Sequence, residues 1–167
     1  MTEMHLMARL TVDGSGDATV GTGLPALDHL LGVLARYARF DLALEVAPGS
    51  PQAQIDAAGQ ALGDALHEAL REPGARGHGD GAVPSEEALA SVALDLSEQP
   101  YVVSNVDLSS VHVAGLASDV IAGFLDHVSA RAGIVLHVRL AHGEEERHVL
   151  DSIFKALGVA LGEACRP

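Results

Sequence analysis

One stretch of this chain occurs twice, and that repetition limits the fold more than any other feature. Residues 50–66 read SPQAQIDAAGQALGDAL, and residues 144–161 read EEERHVLDSIFKALGVAL. With Asp56 set over Asp151, 95 positions apart, the pattern Ala-Leu-Gly-x-Ala-Leu falls in register at 61–66 and 156–161. The apolar segment ahead repeats as well, Phe40–Val46 aligning on Ile134–Leu140 at an offset of 94. Agreement in order, spacing and local identity predicts a duplicated unit.

The local patterns supply the elements of each copy. HLMARLTV alternates as a strand, DGSGDA is a turn, and a short strand to Thr22 follows. PALDHLLGVLARYAR has apolar residues three and four apart, which predicts a helix over about 25–38. FDLALEV alternates with period two. Ser50 then caps a helix that carries Pro51 at its first position, where a missing N–H costs nothing, and that runs to about Arg71. Residues 72–84, EPGARGHGDGAVP, read as a glycine-rich linker. Beyond it come strands in ALASVALDL and PYVVSNVDL, a helix in ASDVIAGFLDHVSARAG, a strand in IVLHVRLA, and the last helix. The expected fold class is α+β: two β-β-α-β-α halves, 1–78 and 79–167, forming one compact unit of sheets with helices packed on one side.

Composition removes several function classes. The 167 residues carry a net charge of −13, which opposes non-specific binding to nucleic acid or to an anionic membrane surface. Only 3% of residues are aromatic, so Ala, Val and Leu must build the core. A single cysteine, Cys165, excludes an internal disulfide and a cysteine-rich zinc site. No apolar run long enough to span a bilayer and no basic-then-apolar leader is present, so the expected location is cytoplasmic. The glycine-rich segment lacks the Gly-Lys-Ser/Thr ending of a phosphate loop, and no Gly-x-Ser-x-Gly occurs.

Histidine and carboxylate spacing is the remaining chemical signal. His29 and His127 each end a Leu-Asp-His tripeptide on corresponding helices. His148 and Asp151 lie three apart and project from one helix face, as the donors of a helix-borne metal site do. Taken singly, each is also compatible with an ordinary surface side chain. Glu144, Glu145 and Glu146 read as favourable charge in a helix's first turn.

Three segments, taken together, resemble one known family. TGLPALDHLLGVLARYARFDLAL, VPSEEALASVALDLSEQPYVV and RHVLDSIFKALGVAL are similar, in order and with conforming gaps, to the signature segments of imidazoleglycerol-phosphate dehydratase, the manganese enzyme of histidine biosynthesis. The resemblance implies a duplicated α+β fold of the ribosomal protein S5 domain 2-like kind, with trimers assembling into a 24-subunit shell. It implies two manganese ions that hold the substrate's imidazole ring as an imidazolate while the neighbouring hydroxyl leaves. The family's ligands are a tandem His-His-x-x-Glu in each half and a single His on the first helix of each half.

Carried over position by position, the first single His is His29 and the second falls on Gly123. The first tandem falls on Gln52 and Ala53 with Asp56 for its Glu; the second falls on Arg147 and His148 with Asp151 for its Glu. Two of the six histidine positions keep a histidine, and both carboxylates are one methylene shorter. Arg147 sets a permanent cation beside a place meant for a dication. His127, one turn past Gly123, is a candidate replacement ligand. The resemblance also marks Glu3 and Glu87 as catalytic acid-base residues. It marks Lys155, with Arg76 or His78, for the substrate phosphate.

Two readings follow. In the first, the protein is a family member with an eroded dimetal site, impaired or inactive, holding no metal or one weakly bound divalent ion (Mn or Zn) and still able to bind a small phosphorylated ligand. In the second it is an active metal-dependent carbon-oxygen lyase that converts imidazoleglycerol phosphate to imidazoleacetol phosphate with one metal on a rebuilt set of ligands: His29, His127, His148 and Asp151. Either predicts a homo-oligomer, trimer or larger.

Overall fold

The structure is a computed structural model that describes residues 6–105 and 120–167. The first half comprises β1 (Leu6–Thr11), β2 (Ala18–Gly21), α1 (Pro25–Ala38), β3 (Asp41–Val46) and α2 (Pro51–Ala69). The second comprises β4 (His78–Ser85), β5 (Ala88–Leu96), β6 (Tyr101–Ser104), α3 (Val120–Ala132), β7 (Ile134–His142) and α4 (Glu146–Ala164). The fold is α+β, with a three-stranded sheet in the order β1-β3-β2 and a four-stranded sheet in the order β4-β5-β7-β6.

The duplication is visible in the strand registers. β1 pairs antiparallel and β2 parallel with β3; β5 pairs antiparallel and β6 parallel with β7. Leu10 and Ala18 flank Leu42, just as Leu94 and Val102 flank Leu136. The equivalent flanking strands are thus 84 residues apart on both sides, and the central strands 94 apart.

Sequence patterning set the boundaries of several elements closely. Helix α1 begins at Pro25, and α2 begins after Ser50, whose hydroxyl accepts from the Ala53 N–H at 3.2 Å. The segment read as a linker, 72–84, is corrected by the structure. Its second part is β4, an edge strand paired antiparallel with β5 from His78 to Ser85. The glycines misled because they look like flexibility but serve packing. Gly79 and Gly81 share one face of the strand, and α4 lies against it; a Cβ at Gly81 would stand 2.8 Å from the Val159 side chain. The second half is therefore β-β-β-α-β-α, one strand more than expected.

Helices α1 and α2 cover the first sheet, while α3 and α4 cover the second. The helices then pair across the halves, α1 with α4 and α2 with α3. One continuous core results, drawing Leu31, Phe40 and Leu62 from the first half and Phe124, Leu136 and Phe154 from the second. Phe124 and Phe154 pack with ring centroids 6.2 Å apart and planes tilted by 31°. Burial of each such side chain stabilises the fold by about 1.5–3 kcal/mol. At the far end Arg166 donates to the carbonyls of Val12 (2.6 Å) and Arg39 (3.1 Å), tying the C-terminus to the first half. Among the described residues no helix is long and apolar enough to cross a membrane.

Candidate functional site

The site forms where the N-terminal turns of α1 and α4 meet the turn between β4 and β5. Asp28 in the first turn of α1 accepts from the Thr22 N–H at 2.9 Å and the Thr22 hydroxyl at 2.5 Å, which fixes the entry to the helix. The next residue, His29, reaches across to α4, where its Nε2 lies 3.0 Å from Asp151 Oδ1. The two helices approach this closely because α4 presents glycine there. A Cβ at Gly158 would stand 2.5 Å from the Leu34 carbonyl oxygen, and one at Gly162 would stand 2.7 Å from that of Ala38.

The other helix pair repeats this contact. His127 of α3 places Nε2 3.0 Å from Asp56 Oδ1 of α2, and Gln52 donates to the same oxygen at 2.8 Å. Gly59 and Gly63 of α2 face α3, where added Cβ atoms would lie 2.8 Å from His127 Cβ and 2.6 Å from Arg131 Cβ. Just beyond, Arg131 grips Asp64 with two bonds of 2.8 Å. The aspartates are 95 residues apart and the histidines 98, so His127 makes its partner's contact from one turn beyond the equivalent position, Gly123.

The third contact joins Glu87 to His148. Glu86 and Glu87 form the two-residue turn between β4 and β5, and Glu86 adopts φ = 52° there. Glu87 Oε1 lies 2.6 Å from His148 Nδ1, while Oε2 accepts from the backbone N–H groups of Glu145 (2.9 Å) and Glu144 (3.2 Å). The N-cap of α4, Glu145, makes no side-chain cap of its own, so Glu87 caps that helix from another element. The Glu145 N–H first, then His148, hold the Glu87 carboxyl down at about 2. Buried Ser152 supports the arrangement, accepting from the Ala90 N–H at 2.8 Å and donating to the Val83 carbonyl at 2.5 Å.

Between α1 and α4 lies an open groove of about 540 Å³, lined by Pro25, Ala26, His29, Leu30, Arg147, His148, Leu150 and Asp151. Three of the sequence-derived metal candidates, His29, His148 and Asp151, therefore share one groove with the Arg147 cation. The other two, His127 and Asp56, belong to the α2–α3 contact. Among the described residues, no three His, Cys, Asp or Glu side chains gather as a group able to hold a metal ion. A resident divalent ion draws three or four protein donors. Among the described residues the donors meet in pairs: His29 with Asp151, His127 with Asp56 and His148 with Glu87.

The phosphate candidates are dispersed. Lys155 Nζ donates to the Pro84 carbonyl at 3.3 Å and lies 5.5 Å from the Tyr37 ring centroid. Arg76 donates to the Pro167 carbonyl at 3.2 Å and pairs with Glu163 at 3.6 Å; His78 opens β4. Eight residues of α4 separate Lys155 from Glu163, a rise of about 12 Å, so a single chain does not bring Lys155 beside Arg76 or His78. Glu3 lies outside the described residues. Sequence reasoning grouped His29 with Asp151, but it missed Ser152, which carries no spacing signal, and did not pair His127 with Asp56 or Glu87 with His148.

A sequence profile of the imidazoleglycerol-phosphate dehydratase family matches residues 22–161. The imidazoleglycerol-phosphate dehydratase of Desulfitobacterium hafniense is 41% identical over 98% of this chain and 86% of its own length. That of Pelobacter propionicus is 36% identical over the same shares. Among solved structures, the Staphylococcus aureus enzyme superposes with a TM-score of 0.86 at 27% identity, covering 96% of this chain and 93% of its own. The Pyrococcus furiosus enzyme gives 0.84 at 25% identity, covering 96% and 88%.

Proposed function

The chain belongs to the imidazoleglycerol-phosphate dehydratase family, and from that premise we propose that it is a member whose dimetal centre has decayed. On this reading it folds and self-associates but does not dehydrate imidazoleglycerol phosphate. The donor set carries the reading. Arg147 stands in the groove where the resemblance calls for a second imidazole, and His29 and Asp151 engage each other there. Gln52 and Ala53 replace the other tandem pair. Loss of even an outer-shell partner lowers metal affinity about 10- to 100-fold, and here four first-shell imidazoles are replaced. Any ion is then single and weakly held, Mn or Zn. Lys155 supports retained binding of a small phosphorylated ligand. Association as a trimer or larger assembly and a cytoplasmic location complete the proposal, carried over from the family resemblance.

One observation favours a second reading. His127 meets Asp56 with the same atoms and distance as His29 meets Asp151. That repetition supports a rebuilt single-metal site in an active dehydratase, with the remaining donors supplied by a neighbouring subunit. Incubation of the purified chain with imidazoleglycerol phosphate and excess Mn separates the two. The first reading expects no imidazoleacetol phosphate. Turnover that is lost in His127→Ala would establish the second reading and overturn the first.

A further inference from the structure

We propose that Glu87 is a positioning residue, whose carboxylate fixes His148 as the tautomer protonated on Nδ1 and so leaves an unprotonated Nε2 in the groove. An ionised carboxylate only accepts hydrogen bonds, so the His148 nitrogen 2.6 Å from Glu87 Oε1 is the donor. The carboxylate is itself held. Its Oε2 receives the N–H groups of Glu144 and Glu145, at the very helix end that carries His148. The backbone of Glu87 is fixed too, because His142 Nδ1 donates to its carbonyl at 2.8 Å. Glu86 meanwhile keeps a left-handed conformation that L side chains rarely adopt, which persists only where the surroundings impose it.

Both oxygens of Glu87 thus accept hydrogen bonds from α4 and the residue that leads into it. His29, in the same groove, uses the opposite nitrogen: its Nε2 faces Asp151. The two imidazoles are therefore opposite tautomers, His29 protonated on Nε2 and His148 on Nδ1. His148 Nε2, like His29 Nδ1, is then an acceptor at the groove, which suits a ligand offering an N–H or O–H donor. This assignment goes beyond the proposed function and does not depend on whether the groove holds an ion.

Long-range ¹⁵N–¹H spectra of the full chain at about pH 8.5, where an ordinary imidazole is neutral, test it directly. His148→Gln and His29→Gln identify the two rings. The expected result is an Nδ1–H pattern for His148 and an Nε2–H pattern for His29. In Glu87→Ala the His148 pattern should change to predominantly Nε2–H, the form free imidazole favours. Ser50→Ala, which removes the cap of α2 instead, should leave His148 unchanged. An Nε2–H pattern for His148 in the unsubstituted protein overturns the proposal whether or not Glu87→Ala folds. A folded Glu87→Ala that retains Nδ1–H does so as well, since Glu87 would then act only as a helix cap.

Discussion

His127 Nε2 lies 3.0 Å from Asp56 Oδ1, although His127 stands one helical turn beyond the position equivalent to His29. The contact is about one-third exposed on both sides, 34% for His127 and 37% for Asp56. Such a pair exchanges its attraction for water at little gain. A double-mutant cycle on His127→Ala and Asp56→Ala near pH 6.5, read by urea unfolding, should give a coupling below about 1 kcal/mol. A coupling several times larger would mean that the pair, rather than the close approach at Gly59 and Gly63, holds α2 against α3.

Glycine separates the two kinds of position on these helices. Gly158→Ala would press a methyl against the Leu34 carbonyl at 2.5 Å, where backbone cannot give way. A loss of about 1–3 kcal/mol in unfolding free energy is expected. Gly123→Ala has nothing within 4 Å of the new Cβ and lies inside α3, so it should stabilise by about 0.5–1 kcal/mol. Glu86→Gly relieves the left-handed turn and should stabilise by about 1 kcal/mol. Denaturant midpoints of the three variants check all of these together.

The acid limb of stability should report Glu87. Its folded pKa lies at about 2, below the ordinary 4.5, chiefly because the Glu145 N–H and His148 favour the carboxylate. A depressed carboxylate contributes stability that is present above pH 4.5 and lost as the pH falls towards 2. Glu87→Gln should therefore unfold at lower urea than the parent at neutral pH, with the gap closing across that window. Asp41, lowered by the backbone N–H groups of Ser15 and Asp17, contributes with the same sign and remains in both proteins. A gap that stays constant from neutrality to pH 2 would contradict the assignment.

The duplication, helix α1 and the Ser50 cap were legible in the sequence because they rest on local spacing. The edge strand β4 was not, since Gly79 and Gly81 carry no side chains to show the period-two pattern that α4 reads. Nor was the site's wiring. His29 and Asp151 are 122 residues apart, and Glu87 and His148 are 61 apart, so only the packing of helices and hairpin decides which donor meets which acceptor. Family resemblance pointed to the residues. It did not say that Glu87 would face His148, or that His127 would regain an aspartate from a shifted position.

Metal content of the purified protein decides whether the dimetal centre has decayed. Elemental analysis after expression in manganese- and zinc-supplemented medium, followed by exhaustive dialysis, gives the number of ions per chain. With donors meeting in pairs and Arg147 in the groove, well under one tightly bound Mn or Zn per chain is expected. Two ions per chain, lost together in His148→Ala, would contradict it.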